Sequence, residues 1–330
     1  MATDDHAIVI GIGRYAHFED LEGAENDARA IIEWLQDPHG GDVPENQIHR
    51  ISSTDYNASH RPGSDDVYEP FEKLIDLARD NDPQIVGRRL YIFMAGHGCA
   101  PALRDAALLM ANAKAQRWGH HVSGSAVADH FAQARYFEEV VLLMDCCRTE
   151  IVGLVANSLP WQPVASELAG NPRWLYAFAS CFSRPAREKV IDGEIRGVFT
   201  VAVLEALRSG AHTSKSLEPL VVARMSELMG QDELQSPHFQ PSPDELQFGS
   251  PLMKPILNIL IEPSVTEADV SIGRGGNLPP IKSKRLKGGE AWGVELDSGL
   301  YEVAREDIER PEKRLTTIVK LTAGILNVTI

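Results

Sequence analysis

Short apolar runs alternate with longer amphipathic segments along most of this chain, and this alternation limits the folds available to it. We predict strands at 7–12, 47–53, 89–95, 140–145 and 174–180. We predict helices at 24–37, 67–80, 123–135, 198–208 and 216–229. Several of the strand segments are apolar at consecutive positions, as expected for strands that are covered on both faces. Strands and helices in alternation favour an α/β fold, with a mostly parallel central sheet flanked by helices.

The C-terminal part of the chain has a different pattern. Residues 231–255 are rich in Pro, Ser and Gln, and this composition predicts that the first domain ends there. From residue 256 onward, short and partly alternating apolar segments are separated by breaks that contain Gly and Pro. This pattern is typical of a small β-sandwich. We therefore predict an α/β domain at 1–255 and a small β-rich accessory domain at 256–330.

The composition excludes several classes of function. Thirty-two basic and 47 acidic residues give a formal net charge of −15, which disfavours binding to nucleic acid or to an anionic membrane. The start of the chain lacks the basic segment of a signal peptide, and the longest apolar runs are too short to span a bilayer. Four cysteines in 330 residues are too few for a disulfide scaffold. We predict a cytoplasmic protein with reduced thiols and with neither nucleic-acid nor membrane partners.

Two polar residues that follow predicted strands are candidate catalytic residues. Cys147 comes directly after VVLLMDC, and His97 follows YIFMAG. In an α/β sheet, functional groups collect outside the carboxyl ends of the strands, so these two side chains can meet there. A histidine beside a cysteine takes the thiol proton, and the thiolate is the reactive form. The glycines that flank His97 allow a substrate backbone to approach, and the N–H of Gly98 is a candidate donor to an oxyanion.

Four segments, in this order, resemble the caspase-fold cysteine proteases, in particular the metacaspases and bacterial caspase-like proteins. They are AIVIGIGRY…LEGAENDARAI, YIFMAGHG, VVLLMDCCR and AFASC…AREK…GVFTVAVLEAL, and the match spans residues 6–250. The 50-residue separation of His97 and Cys147 is also the spacing given for the caspase dyad. The resemblance implies a caspase-haemoglobinase-like sandwich and a cysteine endopeptidase activity that uses a Cys-His dyad.

The resemblance also implies roles for single residues. Cys147 matches the nucleophile, and Cys146 matches the variable middle position of the Asp-x-Cys motif, where we expect a small buried residue. The backbone N–H groups of Gly98 and Cys147 would bind the oxyanion. Asp27 and Asp145 match the acids of the metacaspase S1 pocket, where two carboxylates favour an Arg or Lys side chain at P1.

One position argues against cleavage after aspartate. Leu21 stands where animal caspases have the arginine that holds a substrate Asp. A basic residue from elsewhere in the chain, such as Arg14, leaves an Asp-specific protease as one alternative. A catalytically silent scaffold or regulatory binding module is another alternative, and the intact pair of His97 and Cys147 speaks against it.

The chain departs from the metacaspase pattern at several positions. Ala95 replaces a small hydroxyl residue, which removes one hydrogen bond expected in S1. Arg148-Thr149 replaces His-Ser after the nucleophile and leaves the local loop undetermined. The calcium-binding acids have no clear counterpart, since Asp105 and Asp129 stand alone between 105 and 140. We therefore predict that the protein does not require calcium.

We also predict that the protein uses no cofactor and binds no metal. Adjacent cysteines lack the spacing of structural zinc ligands, which disfavours a metal site made of His97, Cys99, Cys146 and Cys147. The expected partners are a protein substrate with a basic P1 residue and an activating partner or sensor bound by 256–330. Bacterial members of the family suggest a place in defence or cell death, for example the cleavage of a gasdermin-like pore former.

Overall fold

The chain divides into two compact units in a computed structural model. The first contains residues 1–207 and 211–250, and the second contains residues 208–210 and 251–330. The structure describes residues 4–81, 83–115, 118–151, 153–162, 172–209, 213–230, 235–248, 256–273, 280–296, 299–321 and 325–330. The predicted domain boundary falls at the end of segment 249–255, which lies outside the described residues.

The first unit contains the five described α-helices, two short 3-10 helices and a six-stranded central sheet. Its strands are β1 Asp5–Gly11, β2 Ile48–Ser52, β3 Gly87–Gly96, β4 Gly98–Cys99, β5 Ala107–Leu109, β6 His121–Ser123, β7 Phe137–Cys146, β8 Arg173–Phe178, β9 Glu188–Ile191, β10 Glu194–Gly197 and β11 His238–Pro241. Its helices are α1 Gly23–Gln36, α2 Ser64–Arg79, α3 Gly124–Ala134, α4 Val198–Arg208 and α5 Ser214–Met229. The strand order of the sheet is β11-β8-β7-β3-β1-β2, and only β11 runs antiparallel to its neighbour. The predicted mostly parallel sheet is therefore confirmed.

Helices cover both faces of the central sheet. Ile8 and Ile92 point to a core that they share with α2 and α3, whereas Val9 and Phe93 point to a core shared with α1, α4 and α5. Because successive side chains of a strand point to opposite faces, these strands need apolar residues at consecutive positions. No helix in the described ranges is both long and apolar enough to cross a bilayer.

Two small sheets are formed by segments that follow central strands along the chain. Strands β4, β5 and β6 form one, and the antiparallel hairpin of β9 and β10 forms the other. The hairpin connects the segment after β8 to α4. It thus carries the AREK…GVFT segment, whose residues line the site described below.

The second unit is built from β-strands. They are β12 Ile256–Leu260, β13 Glu267–Gly273, β14 Lys282–Lys287, β15 Ala291–Glu295, β16 Gly299–Asp307, β17 Arg310–Leu321 and β18 Ile325–Thr329. One sheet has the order β15-β12-β18 and the other β14-β13-β16-β17. Leu257 and Ile259 of the first sheet share one buried core with Val270 and Val303 of the second. Two sheets around one core form a β-sandwich, as the alternating pattern predicts.

Candidate active site

The register of two central strands brings His97 and Cys147 to the same edge of the sheet. Strands β3 and β7 are parallel neighbours, and Gly96 is paired with Cys146 at their carboxyl ends. His97 and Cys147 are the residues that directly follow these strands, so both lie at the edge of the sheet where α/β proteins bind ligands. Both residues line one cavity of about 290 Å³.

Cys146 is the last residue of β7, whereas Cys147 follows the strand and is partly exposed. Cys146 is 2% exposed and belongs to the core on the side of α2 and α3. Burial raises the pKa of its thiol well above the ordinary value. A Cβ added to Gly98 would lie 2.6 Å from the Sγ of Cys146, so only glycine fits beside it. Cys146 is thus the small buried residue that the sequence predicts.

The thiol of Cys147 is held by the backbone of Ala186. The N–H of Ala186 donates to the Sγ at 3.3 Å, and the thiol is 3.8 Å from the Ala186 carbonyl oxygen. Burial raises the pKa of Cys147, which the Ala186 N–H and nearby Arg187 partly offset, while Asp145 raises it further. The net shift favours the neutral thiol over the thiolate.

The imidazole of His97 is oriented by two residues of the loop after β1. Its Nε2 lies 2.9 Å from the carbonyl oxygen of Glu19, which can only accept, so Nε2 carries the proton. In the neutral ring Nδ1 is then the basic nitrogen. The backbone N–H of His97 donates to the Tyr15 hydroxyl at 2.8 Å, and the two rings meet edge to face at 4.7 Å.

Two buried carboxylates lie in the same cavity. Asp27 on α1 is 1% exposed, and Asp145 on β7 is 7% exposed. The Oδ2 of Asp145 accepts from the Thr200 N–H at 3.0 Å and from its hydroxyl at 2.6 Å. Asp27 accepts from the Gly197 N–H at 2.7 Å and pairs with the Arg196 Nε at 2.6 Å.

Burial shifts the pKa of both carboxyl groups in the same direction. Burial raises the pKa of Asp27, and the charge of Asp145 raises it further, against the opposing effect of Arg196. Burial also raises the pKa of Asp145, although the two hydrogen bonds from Thr200 oppose it. A cation that enters the cavity would stabilise the ionised form of both acids.

A family model described as the caspase domain matches residues 4–246, which include every residue of this cavity. The chain belongs to the caspase-domain family of peptidases. Caspase-1 from Spodoptera frugiperda has a similar structure, with a TM-score of 0.50 and 12% sequence identity, over 72% of this chain and 86% of that chain. At this identity the similarity concerns the fold alone. No curated protein matches the chain.

The caspase domain brings together the residues that the sequence selects. His97, Cys147, Asp27 and Asp145 all line the cavity, and Leu21 lies on its wall. Arg14 lies elsewhere: its guanidinium donates to the carbonyl oxygens of Ser53 and Tyr56. Arg14 lines a separate groove along α1. It is therefore not a basic residue that could bind a substrate Asp in this cavity.

The N–H of Gly98 in the caspase domain points away from the small sheet. The N–H of Leu109 donates to the His97 carbonyl oxygen at 2.8 Å, and Gly98 is paired with Leu108. In an antiparallel pair these positions alternate, so the Gly98 N–H does not bond to β5. This orientation is compatible with the oxyanion role expected for Gly98.

Several cavity residues of the caspase domain were not identified from the sequence. Arg187 and Glu188 line the cavity, and the Glu188 carboxylate accepts from the N–H groups of Gly23 and Ala24 at the start of α1. Arg196 and Thr200 bind the two acids. Their one sequence signal is their position in the AREK…GVFT segment, which does not indicate which side chains face the cavity.

The loop after Cys147 is organised by Arg148. This guanidinium is 1% exposed and donates to the carbonyl oxygens of Leu103, Asp105 and Ser180. The backbone of Arg148 bonds to Ser183 and Arg184, in the segment that leads to Ala186. The loop left undetermined by the sequence is therefore tied to the segment that contacts Cys147.

The two isolated acids, Asp105 and Asp129, have local partners. Asp105 accepts from the Ser123 hydroxyl, and Asp129 accepts from the Tyr176 hydroxyl at 2.9 Å. Across the described segments, no three His, Cys, Asp or Glu residues form a cluster suited to a metal ion.

Proposed function

We propose that this protein is a cysteine endopeptidase that cleaves its substrates after Arg or Lys. The observation that carries the proposal is the pair of buried carboxylates, Asp27 and Asp145, in the cavity beside Cys147. Membership of the caspase-domain family supports the peptidase chemistry. The intact His97–Cys147 pair at one sheet edge supports catalysis over a silent scaffold.

His97 activates Cys147 as a general base. Its Nδ1 takes the thiol proton, while the Nε2–H remains bonded to the Glu19 carbonyl oxygen and fixes the tautomer. The thiolate attacks the scissile carbonyl carbon. The N–H groups of Gly98 and Cys147 bind the oxyanion, and His97 then protonates the leaving amine. Water hydrolyses the resulting thioester, with His97 again acting as base.

The S1 preference follows from charge. A guanidinium or ammonium group that reaches Asp27 and Asp145 forms charge-assisted hydrogen bonds, each worth about 1.5–3 kcal/mol. Arg196 already pairs with one oxygen of Asp27, so the P1 side chain binds mainly through Asp145 and the second oxygen of Asp27. Because burial raises both pKa values, a bound cation also stabilises the ionised pair.

One observation favours a second candidate specificity. Arg187 lines the cavity and lowers the pKa of Cys147, so it also places positive charge near a P1 side chain. A protease that cleaves after Asp would use this residue. The three acids Asp27, Asp145 and Glu188 outnumber it in the cavity, which is why the basic preference is the first choice.

Hydrolysis of fluorogenic peptides tests the proposal. Peptides that end in Arg, Lys or Asp would be offered to wild type, Cys147→Ala and Cys146→Ala. The proposal expects cleavage after Arg or Lys by wild type and by a folded Cys146→Ala, and none by Cys147→Ala. Cleavage after Asp alone would refute the roles of Asp27 and Asp145. A thiol-reactive peptide probe that fails to label Cys147 would favour the scaffold.

A cellular role in bacterial defence or cell death extends the proposal, and the accessory domain would receive the activating signal. The support is the resemblance to bacterial caspase-like proteins. Coexpression with a gasdermin-like pore former provides the test. Wild type would cleave the pore former after Arg or Lys and kill the cells, whereas Cys147→Ala would do neither.

A further inference from the structure

An aromatic pair lies beside His97, on the face of the sheet that α2 and α3 cover. The rings of Phe18 and His97 are 5.6 Å apart, and the rings of Phe18 and Trp118 are 5.9 Å apart. Both aromatic side chains are half-buried, and both pack on the core formed with α2 and α3. Phe18 lies in the loop after β1, between the exposed residues His17 and Glu19.

The two acids of the cavity lie towards the other face of the sheet, which α1 and α4 cover. Ala24 and Asp27 on α1, with Glu188 and Gly197 of the β9–β10 hairpin, contribute to its wall. Asp145 reaches Thr200 on α4, which belongs to the opposite core. His97 therefore stands at the sheet edge between the acidic cavity and the aromatic pair.

We infer that Phe18 and Trp118 form a subsite for the side chain that follows the scissile bond, and that it takes a bulky apolar residue. The inference rests on the proposed peptidase function and adds a second determinant of the substrate. In a dyad peptidase the histidine protonates the leaving amine, so it stands on the leaving-group side of the scissile bond. With P1 in the acidic cavity, the next residue passes His97 and reaches Phe18.

The chemistry of the pair fits an apolar side chain. Two half-buried aromatic rings offer apolar area that a Leu or Phe side chain can cover. Partial burial of such a side chain corresponds to about a tenfold preference over serine in kcat/KM. A substrate of this enzyme then carries Arg or Lys followed by a large apolar residue.

A structural role of the same two residues would give a different result, and the test separates it from a subsite. Phe18 precedes Glu19, whose carbonyl oxygen holds His97, so loss of the ring could merely misplace the histidine. Misplacement would slow the cleavage of every peptide equally. A subsite changes the ratio between peptides that differ only after the scissile bond.

Internally quenched peptides with a fixed P1 Arg, followed by Phe, Leu, Ala or Ser, provide the first measurement. Wild type is expected to cleave the Phe and Leu peptides about tenfold better than the Ser peptide. Phe18→Ala and Trp118→Ala are expected to remove this ratio, while Phe18→Leu retains most of it. His17→Ala and Gly119→Ala, exposed neighbours in the same two loops, serve as matched controls that keep the ratio.

A binding measurement keeps the inference testable without turnover. Peptides whose Arg–Phe or Arg–Ser bond is reduced to an uncleavable amine would be titrated into Cys147→Ala by calorimetry. Tighter binding of the Arg–Phe peptide, lost in a folded Phe18→Ala, supports the subsite. Equal binding of both peptides overturns it, as does an equal loss of kcat for all peptides in Phe18→Ala. Failure of the proposed function is a different result, namely no Cys147-dependent cleavage after Arg or Lys.

Discussion

The backbone N–H of Gly197 donates a hydrogen bond of 2.7 Å to the Oδ2 of Asp27, across 170 residues of sequence. The glycine lies directly against both acids of the cavity. A Cβ at this position would lie 2.6 Å from the Oδ2 of Asp27 and would overlap the Oδ2 of Asp145. The β9–β10 hairpin thus contributes a backbone donor that only a glycine can bring close enough.

Gly197→Ala is expected to displace the hairpin from the two carboxylates. Because the acids are buried, they cannot move to accommodate a methyl group, and overpacking of this kind costs about 1–3 kcal/mol. The free energy of unfolding should fall by that amount, and cleavage of Arg-ended peptides should fall more than tenfold. Gly119→Ala is the matched control, since an added Cβ there has no atom within 4 Å. Full activity of Gly197→Ala would contradict this account of the hairpin.

Alkylation of Cys147 is expected to depend steeply on pH. Burial raises the pKa of this thiol, and iodoacetamide reacts with the thiolate, so the rate at pH 7 should be low. Below the raised pKa the rate should increase about tenfold per pH unit, because the thiolate fraction does so. The rate is followed by mass spectrometry of the Cys147 peptide, with Cys147→Ala to identify the background from Cys146 in the same peptide. A plateau already reached below pH 7 would mean that a thiolate is preformed.

Arg196→Gln is expected to destabilise the protein in a pH-dependent way. The variant leaves the buried Asp27 carboxylate without its cation, which corresponds to about 2 kcal/mol for a partly exposed pair. Arg29→Gln is the matched control, because Arg29 pairs with Glu194 of the same hairpin in an exposed contact worth at most about 1 kcal/mol.

The sign of this pH effect follows from the raised pKa of Asp27. The folded state binds the proton more tightly than the unfolded state, so stability falls as pH rises from about 4 towards the raised value. Arg196 favours the ionised form, so its loss should matter most at alkaline pH and least below pH 4. Urea denaturation at pH 4, 6 and 8 measures this, and a pH-independent difference would argue against an ion pair.

Arg148→Met is expected to loosen the loops around Cys147. The change leaves the carbonyl oxygens of Leu103, Asp105 and Ser180 without this donor, at about 1–3 kcal/mol for each that stays buried and unpaired. The midpoint of thermal unfolding and kcat should both fall. Arg104→Met, at an exposed position in the same region, should change neither. Unchanged stability of Arg148→Met would show that the three carbonyls find other donors.

Most of the fold follows from patterns that are local in the sequence. Consecutive apolar residues in segments such as 140–145 predict doubly covered strands, and helices of 11 to 16 residues separate or follow them as expected. The strand predicted at 140–145 begins three residues earlier in the structure, at Phe137. The reason is that Phe137 and Glu139 also pair with β3. Strand ends are decided by pairing, which a single segment does not encode.

Some residues of the candidate site could be identified from the sequence, and others could not. His97, Cys147, Asp27 and Asp145 were identified because each belongs to a short motif with a recognisable side chain. Arg196 and Gly197 were not, because a bond to Asp27 depends on how the β9–β10 hairpin folds onto α1. Glu19 was not identified either, since it acts through its carbonyl oxygen, a group that every residue has.

The sequence by itself determined that this is a doubly covered α/β sheet with a histidine and a cysteine after two of its strands, followed by a β-rich unit. Hydrophobic periodicity and short motifs suffice for that, because they act within one strand or helix. Only the tertiary structure decided that Ala186 holds the thiol and that Arg196 offsets one carboxylate. It also decided that Phe18 packs beside the histidine, with Trp118 against Phe18. These contacts join segments that are far apart in the chain, and their partners are set by packing and by backbone groups, which leave no residue-specific pattern in the sequence.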